Sequence, residues 1–137
     1  MKYPREEIWE RKAYEEDIRK KKLTTLFRPE NRICDGKKKK CFCNGEKLIL
    51  RVLEIPGKDK TKSKPIFVKN LTKLVKVKSI KKRLINSLTK EDFRGSYPNI
   101  KTVKELKYYL GLIYNRIPSS FSEVTKIKIQ YMKPSAH

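Results

Sequence analysis

The chain has 137 residues, enough for one domain with a real core. Apolar residues make up 37%, charged residues another 37%, and no apolar run approaches the roughly 18 residues of a membrane span. Lys and Arg number 36 against 15 Asp and Glu, a net charge of +21, and the single histidine, His137, leaves no nucleophile–histidine pair for hydrolysis.

Pro4 to about Lys21 reads as a helix. Pro4 suits a first turn, Glu6 and Glu7 suit the positive end of the helix dipole, and Arg19 to Lys22 suit its negative end. Ile8, Trp9, Ala13, Tyr14 and Ile18 form its apolar stripe, so Trp9 reads as a packing residue. Leu23–Arg28 is rich in strand formers and stopped by Pro29. Asn31–Lys40 is a loop, with Asp35-Gly36 as a turn and a four-lysine run. Lys40–Cys43 is a candidate strand, Asn44-Gly45 a turn, and Lys47–Ile55 the clearest strand of the chain.

Pro56–Pro65 is a charged loop bounded by proline. Ile66–Val68 and Lys73–Ile85 read as strands, the second with Val75 and Val77 alternating against Lys76 and Lys78. Thr89 begins a short helix. Thr102-Val103-Lys104-Glu105 is a capping box, in which threonine and glutamate each satisfy a backbone N–H, and its helix ends near Asn115. Glu123–Lys133 closes the chain as a strand, with Ile127, Ile129 and Tyr131 alternating against Lys126, Lys128 and Gln130. The tally predicts one α+β domain over 1–137: an N-terminal helix at about 4–21, a small mixed β-barrel at about 23–132, and a second helix before the last strand.

The charge is uneven. Residues 1–17 hold six acids and four bases, so the other 120 carry a net +23. A body this positive repels itself, and a polyanion that releases counterions on binding is the simplest reason to tolerate the cost. The bland alternative is a lysine-rich surface that serves solubility alone. The N-terminus lacks the apolar core of a signal peptide, which predicts a cytoplasmic protein with Cys34, Cys41 and Cys43 as reduced thiols. Their C-x6-C-x-C spacing is not a zinc pattern, and no metal or cofactor is expected.

Asp17–Arg28 resembles the signature segment of ASCH domains: the end of a first helix, a glycine position, basic residues, threonines, then arginine. Asn44–Leu50 is similar to that family's lead-in to a central strand. Ser87–Asp92, Thr102–Leu106 and the helix through Ile113-Tyr114 are similar to its closing pattern. The resemblance covers roughly residues 14–131. It implies a PUA-like barrel, a fold associated with RNA, here single-stranded or structured. It also implies an alternative, a small amidohydrolase acting on a modified nucleoside such as acetylcytidine, which uses a lysine, a threonine and a glutamate. Anchoring on Arg28 puts Lys21 at the signature glycine, Leu23 at the lysine and Leu26 at the threonine, and a one-residue slide recruits Lys22 and Thr25. Asn99 stands where the glutamate belongs, leaving Glu91 or Asp92 as the nearby carboxylates.

For RNA, Lys22, Thr24, Thr25 and Arg28 are expected to floor a cleft. Arg28 sits at its mouth, where its planar fork suits a phosphate or base edge. Lys37, Lys38, Lys39, Lys40, Lys76 and Lys78, with Lys81, Lys82 and Arg83, are expected to track the backbone. Tyr97, between Gly95 and Pro98, is the stacking candidate, while Tyr109 reads as core and Tyr108 as exposed.

Overall fold

The computed structural model describes residues 7–33, 42–55 and 65–133. Its strands are β1 (Glu7–Arg11), β2 (Thr25–Pro29), β3 (Lys47–Ile55), β4 (Ile66–Leu84) and β5 (Glu123–Tyr131), and its helices are α1 (Glu15–Arg19) and α2 (Val103–Tyr114). The strands make one sheet in the order β1-β3-β4-β5-β2, curled into a half-barrel. β1 runs parallel to β3, and the other neighbours are antiparallel.

Alternation along the strands builds the core. Leu48, Leu50 and Val52 of β3, Val75 and Val77 of β4, and Ile127 and Ile129 of β5 all point into the curl. Ile18, Leu23, Leu106 and Leu110 pack against them. Two irregularities bend the long β4. Asn70 takes a left-handed conformation (φ 59°) where the pairing with β3 jumps from Thr72 to Phe67. A bulge at Lys78 puts one extra residue opposite β5. That bulge resets the alternation: Ile80 then faces inward opposite Ile127, and Lys81 faces outward opposite Lys126.

Over the described residues 7–21, the helix expected at about 4–21 does not form as one element. Its described part is β1, a 3-10 turn at Lys12–Tyr14, and the single-turn α1. Ile8 and Glu10 are buried while Glu7 and Trp9 are exposed, a period of two. Ile8 lies opposite Leu50, so the segment gains a backbone ladder and a core contact along the open edge of β3. Tertiary pairing therefore overrides the helical charge pattern. The short helix expected from Thr89 is a 3-10 turn, Lys90–Phe93, whose Asp92 accepts from the Thr89 N–H at 2.7 Å. α2 has its cap: the Thr102 hydroxyl accepts from the Glu105 N–H at 3.1 Å, and the helix ends on left-handed Asn115.

The run Lys37–Lys40, Cys34, Cys41, His137 and residues 56–64 of the charged loop lie outside the described residues.

Candidate nucleic-acid interface

β1 and β2 are the two edges of the sheet, and the Arg28 side chain bridges them. From β2, Arg28 donates to the Trp9 carbonyl at 2.8 Å and to Glu10 Oε1 at 3.1 Å, both on β1. It also donates to its neighbour Phe27's carbonyl at 3.0 Å and lies 3.3 Å from the Tyr97 hydroxyl. Tyr97 in turn donates to Glu10 Oε1 at 2.8 Å. Glu10 is 2% exposed and Tyr97 1%. Burial alone would lower the Arg28 pKa, but the Glu10 carboxylate, together with the surrounding tyrosines Tyr97, Tyr114 and Tyr109, outweighs this and holds it above its usual value. Burial and the same carboxylate push the Tyr97 phenol well above the usual tyrosine range.

The residues expected to floor a common cleft are thus not brought together. Arg28 is spent on closing the half-barrel. Thr25 lies three residues away along β2, on the opposite face, buried with its hydroxyl donating to the Arg94 carbonyl at 2.9 Å. Thr24 and Thr25 both donate backbone N–H bonds to the Gly95 carbonyl, at 2.8 and 3.0 Å. Gly95 allows this approach, because its φ is +75° and a Cβ there would stand 2.5 Å from Thr24 Oγ1. Tyr97 is sealed in an aromatic cluster with Tyr14 and Tyr109, ring centroids 4.6 and 5.1 Å away, and offers no face to a base. Lys22 is exposed just beyond α1 and forms no ion pair with a described carboxylate. Glu91 pairs with Arg94 on the surface, and Asp92 is buried against Lys126 and Arg83. Asn99 accepts from the Tyr14 hydroxyl at 2.9 Å. Among the described residues, no hydrogen bond or ion pair joins Lys22, Thr25, Glu91, Asp92 and Asn99 to one another.

What does converge is the outer face of the sheet. Lys47, Lys76 and Gln130 lie side by side across β3, β4 and β5. Lys128 follows on β5 opposite Ser79, and Lys81 stands opposite Lys126. Lys47, Lys76, Lys78, Lys81 and Lys128 are all exposed, and none forms an ion pair with a described carboxylate. The acids that border them are committed elsewhere: Glu7 to Arg51 and Asp92 to Lys126. Between the Asn44-Gly45 turn and Lys76, Lys78 and Gln130 lies a shallow hollow of about 290 Å³. Like charges directly opposite one another destabilise a sheet, so the Lys47–Lys76 pair is a cost that packing does not explain.

Lys76 and Lys78 were expected on this face. Lys47 and Lys128 join it through strand pairing. The alternation of Lys126, Lys128 and Gln130 already marked one face of β5, and only the register shows that it continues that of Lys76. Comparison of the chain with protein-family models, curated proteins and solved structures finds no match.

Proposed function

We propose that this protein binds RNA, single-stranded or locally structured, on the outer face of its half-barrel. The observation that carries this reading is the set of five exposed lysines on one sheet face, unneutralised by any described acid. Such a face attracts phosphates and releases their counterions, and it gives affinity without fixing sequence.

RNA is preferred to DNA because of the resemblance to ASCH domains. Two features support a PUA-like reading of the fold: the curled mixed sheet with a helix before its last strand, and the backbone at Lys21. Lys21 occupies the signature glycine's position and has φ 59°, a conformation that glycine adopts without strain. A cytoplasmic location goes with this reading, and no helix among the described residues is long and apolar enough to cross a membrane.

The test is a titration of fluorescently labelled single-stranded RNA at several salt concentrations. The log–log slope is expected to be about −0.7 per phosphate contacted, hence about −3.5 when each of the five lysines engages one phosphate. Changing Lys47, Lys76, Lys78 and Lys128 together to Gln should flatten the slope. A flat slope for the parent, or no binding at low salt, overturns the proposal.

A further inference from the structure

The same outer face carries an aromatic group that the lysines do not explain. Trp9 is the only tryptophan of the chain and is 43% exposed. On β1 it stands opposite Arg51 of β3, which in turn stands opposite Thr72 of β4. Its ring meets Phe67 edge to face, with centroids 5.1 Å apart and planes at 74°. The Arg51 guanidinium also lies over the Phe67 ring, 3.6 Å from its centroid, and is held by Glu7 at 3.0 Å. The indole N–H has no partner among the described residues. Trp9 is thus oriented from one side and open on the other.

We infer that Trp9, braced by Phe67 and Arg51, is a stacking shelf for an unpaired base of the strand that the lysines hold; this rests on the RNA reading above. First, the Trp9 ring is braced on one side by Phe67 while 43% of the residue is exposed, so a flat aromatic surface is held in place and open to a ligand. Second, its position completes a known physical arrangement. Proteins that hold single strands combine a positive track with aromatic faces on which bases stack. The row of Trp9 and Arg51 lies four residues along β3 from the row of Lys47 and Lys76, about 13 Å at strand rise. One strand running along β3 therefore meets phosphate-binding charge first and a stacking surface next. Arg51 adds a cation beside the shelf with its charge partly balanced by Glu7, so it contributes positioning more than attraction.

Because Trp9 is the only tryptophan, its own fluorescence reports the contact. The protein is titrated with oligouridylate and, separately, with inorganic polyphosphate, a polyanion without bases. Anisotropy of labelled RNA runs in parallel. RNA should quench Trp9, whereas polyphosphate should displace RNA from the lysines yet leave the emission unchanged. Trp9→Ala should weaken RNA binding about five- to 150-fold, the range expected for one stacked base. Its salt slope should match the parent's, and Trp9→Phe should recover most of the affinity. If RNA binds with a normal salt slope but leaves Trp9 unquenched, or polyphosphate quenches equally, the shelf is wrong and the lysine face stands. The same holds if Trp9→Ala binds like the parent. If no RNA binding appears at low salt, the RNA reading itself has failed.

Discussion

Arg28 and Lys76 belong to the same sheet and carry the same charge, yet their surroundings are opposite. Arg28 is inside the curl, where two carbonyls, a carboxylate and a phenol occupy its donors. Lys76 is outside, exposed, with Lys47 directly across the strand gap. The chain divides its excess charge between these two settings. A planar fork with several fixed donors suits a buried bridge between two sheet edges. Compact, mobile ammonium groups suit a face that meets a flexible polyanion. On the proposed reading, the charges that serve binding are those without a partner among the described residues, whereas the donors of Arg28 are already occupied.

The largest expected effect tests that division at Arg28. Arg28→Ala leaves the Glu10 carboxylate buried and unpaired and removes the bridge to the Trp9 carbonyl. A loss of about 3–5 kcal/mol in urea unfolding is expected, with the RNA affinity of the folded fraction unchanged. If instead the variant is as stable as the parent and no longer binds RNA, Arg28 is a ligand and the comparison is reversed.

A second bridge tests the same idea through pH. Burial would raise the Asp92 pKa, but hydrogen bonds from Lys126 and the Thr89 N–H, with the charges of Lys126 and Arg83, hold it down at about 2. A carboxyl whose folded pKa is depressed stabilises above its unfolded value of 3.8 and loses that contribution as pH falls towards 2. The contribution is about 2 kcal/mol. Urea midpoints between pH 5 and pH 2 should fall for the parent and fall less for Asp92→Asn, which should start lower at pH 5. Parallel slopes for the two proteins would mean that Asp92 is not the group responsible.

These two bridges also mark where the sequence was readable. The strands over residues 47–55 and 123–131 and the capped helix follow from local alternation and from Thr102 and Glu105, so they could be placed from the chain alone. The face of Lys76 and Lys78 was legible for the same reason. The role of Arg28 was not, because it depends on partners 18 and 69 residues away that only the sheet order brings together. Tyr97 looked like an exposed loop aromatic, since nothing local says that residues 93–97 fold back against β2. The N-terminal segment misled because its acids and bases fit a helix dipole, while the open edge of β3 that captures it lies 42 residues downstream, Glu7 pairing with Ile49. The bulge at Lys78 adds a single residue and leaves no sequence mark, yet it decides that Lys81 faces outward.

Lys21 offers a smaller and purely conformational test. A lysine held at φ 59° bears a steric cost that glycine avoids, about 1 kcal/mol after glycine's greater freedom in the unfolded chain is counted. Lys21→Gly should therefore raise the melting temperature while leaving RNA binding to the sheet face intact. A drop in stability would show that the lysine side chain makes up for its backbone.

The smallest effect is the most discriminating. Lys47 and Lys76 repel across β3 and β4, and relieving a like-charge pair of this kind is worth a few tenths of a kcal/mol. Lys76→Gln should accordingly make the protein slightly more stable. It should also weaken every RNA about equally and reduce the salt slope by about 0.7, the share of one phosphate contact. The two signs must be opposite for the proposed interface to hold. A charge kept for solubility alone would change stability without touching RNA affinity, and a charge kept for structure would lose stability when removed. Urea unfolding and RNA titration of this one variant, at two salt concentrations, separate the three cases, because only a binding charge makes the protein stronger and the complex weaker in the same substitution.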